Sequence, residues 1–573
     1  MKHLLEKGTR CLLVQPRFSA LSFWNYPEVC KIVGAKYPTP SLGLLTVAAL
    51  LPQQWEFKLV DTNVEPLLND HIAWADIVCT GGMLPQQPST LSIIEQAHAN
   101  HRLVVVGGCD ATSQPTIYRS ADFIVHGEGE ITIPMFINDL ERRSKSGEYK
   151  SEQRADMTRS VVPRFDLVNF KNYLHVGIQF SRGCPFLCEF CDIIELFGRL
   201  PRTKTADHLI QELQTLYDLG YRGHVDFVDD NFIGNKRNLK TVLPVIKEWS
   251  QRHRYPFFFS TEASANLADD DELLSMMSDI DFRYVFMGFE TPEDEILEMT
   301  HKKVNCARNT VELVKKIYSY GIIVNAGYIL GFDWENGLSH EMIKKAIHDS
   351  GVAMVMFGML YALPNTQLAR RLKQEGRLFG EYTSLSAKNA EIDQTTADLN
   401  YVPNRPIVEI LRDYISVIQY VYDPREYYRR ITYAALNLRV NYKHKPTFRR
   451  LLLNVRAFIV ICLRAGFSRI TGLHYWKMIL TVLLRNPKGL EAAINLAAMF
   501  IHFYPHTLFN ISRRAERIRS IEECGESEYN ARMFASFHAA HPSRTLHSVP
   551  RSTVYEKPPE NQPEQEIQGY HGE

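Results

Sequence analysis

Three cysteines, Cys184, Cys188 and Cys191, stand in the run SRGCPFLCEFCD with the spacing C-x3-C-x2-C. Thiolates are soft ligands for iron, and three of them can hold three of the four irons of a 4Fe-4S cluster. Electron-transfer ferredoxins use four cysteines per cluster, so a lone triad leaves one iron open to bind and act on another molecule. Two other chemistries compete for a C-x2-C pair. A redox dithiol opens a helix, whereas Gly183 before the first cysteine and Pro185 after it make this segment a loop. A zinc site wants a fourth ligand at a regular offset, and the nearest downstream candidate, His208, lies outside such spacing.

A cluster loop needs a scaffold, and the chain around it alternates strand and helix. Strands are expected at 176–180, 224–228, 257–261, 284–289, 324–330 and 354–360. Apolar stripes between them mark helices: Leu209, Leu213, Leu216 and Leu219, then Val242, Leu243, Ile246 and Trp249, then Leu273, Leu274 and Met277, then Val311, Val314 and Ile317. Six such units predict a partial (β/α) barrel with its chemistry at the carboxyl ends of the strands. Upstream, short apolar strands at 11–15, 57–60, 77–80, 103–106 and 123–125 alternate with helices such as 42–51. That pattern predicts a parallel, doubly wound, Rossmann-like sheet. Glycines follow three of its strands, at Gly81-Gly82-Met83, Gly107-Gly108 and Gly127-Glu128-Gly129, where such sheets bind ligands. The fold class is therefore α/β. The sheet domain is placed at 1–150, the barrel at 170–390, a helical domain at 391–515 and a polar, disordered tail at 525–573.

Composition excludes some functions. The 65 basic and 65 acidic residues leave no net charge to favour a nucleic-acid partner. Apart from the triad, the ten cysteines are scattered, which is the wrong pattern for a disulfide framework. The first residues lead into no long apolar core and give no secretory signal. Reduced thiols and an oxygen-sensitive cluster point to the cytoplasm.

The cysteine segment, with the aromatic Phe190 directly before the last cysteine, resembles the signature of the radical S-adenosylmethionine (radical SAM) enzymes. The resemblance implies that the open iron chelates adenosylmethionine, whose reductive cleavage yields a 5′-deoxyadenosyl radical. It also implies an electron donor such as flavodoxin or ferredoxin. The strand ends match the family in order. Asp229 and Asp230, in FVDDNF, stand where a carboxylate would pair with the adenosylmethionine ammonium. Glu290, in GFET, stands where the family places polar groups on the ribose, and Gly331 closes a turn beside the adenine.

The upstream sheet resembles the cobalamin-binding domain that precedes many radical SAM barrels, on the turns that contain Gly107, Gly108 and Glu128. The chain lacks the Asp-x-His-x-x-Gly motif that supplies a cobalt ligand elsewhere. Met83 and Leu84 are assigned to the lower side of the corrin. The run CDI-x4-GR-x2-RTK after the triad resembles the branch that includes hopanoid methylases, and implies contacts from Arg199, Arg202 and Lys204 to adenosylmethionine or the cofactor. A methylthiotransferase is the weaker match, because Cys11, Cys30, Cys79 and Cys109 do not follow its second-cluster pattern.

The expectation is a cobalamin-dependent methyltransferase acting on an unactivated carbon of a small molecule or a hopanoid-like lipid. A radical ring closure or rearrangement without methylcobalamin and a non-catalytic cofactor or lipid carrier are the alternatives, the intact triad arguing against the carrier. Residues 400–515 read as helices that close the active site, none with the ~20 uninterrupted apolar residues needed to span a bilayer. The sharper reading is a greasy cap that admits a lipid, or touches the inner membrane face through basic and aromatic residues.

Overall fold

The computed structural model describes residues 8–18, 22–142, 144–380, 393, 395–540 and 552–556. Strands β1 (Arg10–Gln15), β2 (Glu56–Asp61), β3 (Ile77–Gly81), β4 (Leu103–Gly107), β5 (Phe123–Val125) and β6 (Gly147–Ser151) form one parallel sheet, ordered β6-β5-β4-β3-β1-β2. Ser552–Glu556 adds a parallel strand outside β6. β6 buries only Gly147 and Tyr149, so its apolar signal is too weak to be read from sequence.

Successive side chains of a strand point to opposite faces, and both faces here are covered. Leu12, Val14, Val78, Val104 and Val106 pack against Ile93 and Ile94 of the helix Gln87–Ala99. On the other face Cys11, Leu13, Cys79 and Val105 meet Leu44 and Ala48 of the helix Leu42–Leu50, and Ile133 and Phe136 of Gly129–Glu141. The chain reverses direction across the sheet between β1 and β3. Their carboxyl-end loops diverge there and leave a crevice, the place where open α/β sheets bind ligands.

The second sheet is parallel and runs β14-β13-β12-β11-β10-β7, from β7 (Val176–Ile178) through β10 (Gly223–Phe227), β11 (Phe257–Glu262), β12 (Phe282–Glu290) and β13 (Ile323–Leu330) to β14 (Val355–Met359). Between β7 and β10, the short antiparallel pair β8 (Ser181–Arg182) and β9 (Arg202–Thr203) zips together the two ends of the cysteine loop. Helices return on the outside, started by side-chain caps at Thr205, Asn235, Asp270 and Asn309. Leu209, Leu213 and Leu216 are fully buried, but Leu219 caps its helix and is exposed, so the expected stripe is one residue too long.

The C-terminal region is helical, as expected, but extends further. The helix Leu490–Cys524 runs past 515 and is followed by Glu526–Ala540, where the sequence reading places disordered tail. Phe534 and Phe537 of this last helix lie 5.0 and 6.1 Å from the ring of Phe379, and Arg517 stacks over Tyr529 at 5.1 Å. Aromatic residues too sparse to make a stripe thus anchor it against the barrel. The rest of the assigned tail, 541–551 and 557–573, lies outside the described residues.

Candidate active site

The cysteine loop is held from both ends and from below. Gly183 opens it at φ +94°, and a Cβ there would stand 2.9 Å from the carbonyl oxygens of Gly198 and Leu200. Asp229, at the end of β10, accepts from the backbone N–H of Phe180 (2.9 Å) and Ser181 (2.5 Å) and from the Ser181 hydroxyl (2.6 Å). Its carboxylate is spent on positioning the loop and holds no free oxygen for a ligand. The Asn231 amide reaches Cys184 Sγ at 3.8 Å. Glu189, inside the loop, accepts from the Arg371 guanidinium at 2.9 Å, and its carbonyl accepts from Leu368 N at 2.8 Å. Phe190 packs edge-on against Phe332 at 5.9 Å.

All three thiols are free of disulfides. Burial pushes each up, and the ammonium of Lys302 pulls each back toward the thiolate. Lys302 is itself held by Glu290 at 2.9 Å. Glu290 therefore backs the cysteine loop through a lysine that sequence reasoning missed, since a Lys-Lys pair after a helix reads as solvated surface. Among the described residues no group of three His, Cys, Asp or Glu side chains converges on a single ion. Three soft donors spread along a buried loop beside a compensating cation fit a larger, multi-iron group instead.

Asp230 differs from its neighbour. Its Oδ2 is buried without a hydrogen-bond partner, and burial, then the charges of Asp229 and Asp192, push its carboxyl up to about 7. Glu262, at the end of β11, is pushed up to about 8 by burial and by Asp226, Asp230 and Asp229. It was missed as well, although the same strand-end logic would have found it. Crowded, poorly solvated carboxyls at a barrel mouth are arranged to receive positive charge. Gly331 donates to Glu335 Oε1 at 2.8 Å and its carbonyl accepts from the Tyr401 hydroxyl at 2.7 Å, which fixes the turn after β13.

One continuous cavity of ≈ 2040 Å³ joins the sheet crevice to the barrel mouth. Met83, Gly107, Gly108, Glu128, Asp230 and Glu262 all line it, while the triad lies outside its walls. Leu84 does not face it: this residue packs against Tyr361, Ala397 and Leu363, a correction to its expected place. The glycines at the strand ends are needed first for one another. A Cβ on Gly81 would lie 2.1 Å from Gly107 O, and Gly108, at φ +91°, faces the backbone of Gly82 at 3.1 Å.

Glu128 is a clasp between the two sheets. It accepts from Arg182 (3.0 Å), Arg202 (2.9 Å) and Ala155 N (3.0 Å), while Glu130 holds the other edge of Arg182 at 2.9 Å. Lys204 pairs with buried Glu212. Two of the three basic residues assigned to cofactor contact, Arg202 and Lys204, are thus engaged within the protein.

The radical SAM superfamily profile matches residues 178–345, the strands and loops just described, and a domain of unknown function (DUF4070) matches 366–515. An uncharacterized methyltransferase of Synechocystis sp. is 42% identical over 497 residues, 86% of this chain and 91% of that protein. The hopanoid C-2 methylase of Rhodopseudomonas palustris is 33% identical over 492 residues, 84% and 90% of the two chains. The chain belongs to the radical SAM superfamily. It is a radical SAM enzyme, of the family that works with S-adenosylmethionine and a 4Fe-4S cluster, and the matched range contains the cysteine loop 184–191.

Likeness to solved structures extends over the whole architecture. The cobalamin-dependent radical SAM enzyme OxsB, with aqua-cobalamin bound, aligns at a TM-score of 0.56 and 14% identity over 94% of this chain and 85% of that one. The radical SAM methyltransferase TsrM from Kitasatospora setae, with cobalamin and a 4Fe-4S cluster bound, also aligns at 0.56, with 13% identity over 79% and 100%. At these identities the likeness is one of fold.

Proposed function

We propose that this radical SAM enzyme is a cobalamin-dependent methyltransferase that modifies an unactivated carbon of a polycyclic, hopanoid-like lipid. The cavity carries the reading. Its ≈ 2040 Å³ exceeds the ~1,000 Å³ upper range of single small-molecule pockets, leaving room for a corrin and a substrate together. Its lining also changes character along its length. Glycine backbone and carboxyls line the end at the two strand mouths, whereas Leu451, Leu453, Phe458, Ile461, Ile494 and Met499, together with Arg449, Arg450, Arg456 and Glu491, line the end at the C-terminal helices. The names of the relatives support the same reaction class.

When bound, cluster and adenosylmethionine supply the hydrogen-abstracting radical, and the corrin supplies the methyl group. The chain's part is to bind, orient and exclude water. Asp230 would accept from the adenosylmethionine ammonium with its unpartnered oxygen, with the Glu262 carboxyl beside it. Lys302 offsets the charge of the three thiolates. The turns at Gly81–Met83, Gly107–Cys109 and Gly127–Gly129 would hold the corrin through backbone, and Met83, exposed to the cavity, would face its lower side. The electron comes from a separate low-potential donor of the flavodoxin or ferredoxin class.

The test is metal content after anaerobic purification from cobalamin-supplied cells, with lipid extracts assayed for methylated products. About four irons and about one cobalt per chain, with a methylated polycyclic lipid, are expected. Iron without cobalt would overturn the corrin assignment and leave a radical ring closure or rearrangement.

A further inference from the structure

Residues 427–490 contain thirteen Lys and Arg and no Asp or Glu, in a chain whose 65 basic and 65 acidic residues balance only as a whole. Within this stretch the helix Phe448–Ile461 continues into a π-helical segment, Cys462–Gly466, and a short connection at 467–471 leads into the helix Gly472–Arg485. On the first helix Phe448, Leu451, Leu452, Val455, Phe458 and Ile459 are exposed. They recur at helical spacing on one face. On the second, Leu473, Trp476, Leu480, Leu483 and Leu484 repeat the pattern, and Leu463, Phe467 and Ile470 are exposed between the two helices. Exposure reaches 76% at Phe448, 79% at Leu473 and 81% at Leu484. Both helices therefore turn apolar stripes outward, opposite to what a water-soluble helix pair does.

This face is built rather than loose. Trp476 Nε1 donates to Gly466 O at 2.9 Å, Thr471 donates to Ala465 O at 2.6 Å, and Tyr475, Met478 and Val482 bury the inner side. Arg449 and Arg456 on the first helix, Arg469 in the connection, Lys477 and Arg485 on the second helix and Lys488 just beyond it are exposed and make no ion pair among the described residues. Among the described residues no helix is long and apolar enough to cross a membrane.

We infer that this helix pair is a monotopic docking surface for an anionic lipid bilayer. Apolar stripes bounded by unpaired cations, with no acidic residue among them, match the boundary between acyl chains and anionic headgroups. Leu451 and Phe458 are exposed on this face and also line the cavity, so the cavity opens where the bilayer would lie. A lipid could then pass from membrane to barrel without crossing water. Docking does not depend on methyl transfer, and membrane binding and cobalt content fail separately.

The experiment is flotation of the full-length, cluster-loaded enzyme with vesicles of phosphatidylcholine alone or mixed with phosphatidylglycerol. A variant carrying Leu452→Ser, Phe467→Ser, Leu473→Ser and Leu484→Ser, all exposed positions, is compared after its circular dichroism and iron content are matched to the parent. The parent should float with the anionic vesicles and far less with the neutral ones, and the variant should lose about a hundredfold in partitioning. Equal flotation of parent and variant, or failure of the parent to float, overturns the proposal. So does a dimer in light scattering that the four substitutions convert to monomer, which would assign the face to a second copy.

Discussion

Asp230→Asn should separate two effects that usually travel together, raising stability while removing function. In the folded protein the Asp230 carboxyl is pushed up to about 7, first by burial and then by Asp229 and Asp192. A carboxyl with a raised folded pKa holds a proton that the unfolded chain releases, so its contribution to stability falls as pH rises from about 4 through about 7. The full shift corresponds to roughly 4 kcal/mol, and the partial solvent access of Asp230 cuts this to ~1–2 kcal/mol. Asparagine imitates the protonated form and, since Oδ2 has no partner, breaks no hydrogen bond there. The variant should therefore melt higher than the parent at about pH 8 and nearly level with it at about pH 5. Adenosylmethionine binding should move the other way. Losing one charge-assisted hydrogen bond costs about 1.5–3 kcal/mol, a weakening of about 10- to 150-fold measured by equilibrium dialysis or by 5′-deoxyadenosine yield. The control is Asp229→Asn. Its carboxylate accepts from Ser181 N and the Ser181 hydroxyl on one oxygen and from Phe180 N on the other, so an amide there must turn its NH2 against at least one N–H donor and should cost about 2–4 kcal/mol and lower iron content. An Asp230→Asn variant that melts below the parent at the higher pH, or binds adenosylmethionine unchanged, would refute the reasoning.

Other outcomes follow from the same contacts. Arg182→Met leaves Glu128 and Glu130 short of their buried cation and should destabilise the enzyme by about 3–5 kcal/mol, read as a lower melting temperature and faster proteolysis between the two sheets. Gly108→Ala meets both a φ of +91° and the Gly82 backbone at 3.1 Å, and should cost about 1–3 kcal/mol. Gly127→Ala, at φ +63° with open space around it, should cost about 1 kcal/mol; equal losses would show that the crowding argument is wrong. Lys302→Met removes the cation facing Glu290 and the thiols, so iron per chain after reconstitution should fall by about half or more, with Lys302→Arg retaining most of it.

Most of the architecture is legible in the sequence because it depends on local, repetitive signals. Apolar runs such as LLV at 12–14 and VVV at 104–106 mark buried strands, and stripes such as Leu209-Leu213-Leu216 mark the helices that cover them. The cysteine loop is legible for the same reason, since its ligands fall within eight residues. What escapes is whatever depends on pairing over distance. Glu128 meets Arg182 across 54 positions, Asp229 serves Phe180 across 49, and Phe534 reaches back to Phe379, so none leaves a periodic trace. The strand-end polar residues look alike in sequence and divide only when each atom's partner is counted. Asp229, Glu128 and the Gly331 turn spend their polar groups on the scaffold, while Asp230 keeps an oxygen that nothing in the protein satisfies. A buried acceptor without a partner costs free energy on folding, so the place where that cost is tolerated is the place where a ligand offsets it. By that accounting the adjacent aspartates of FVDDNF have opposite roles, one building the site and the other facing what binds there.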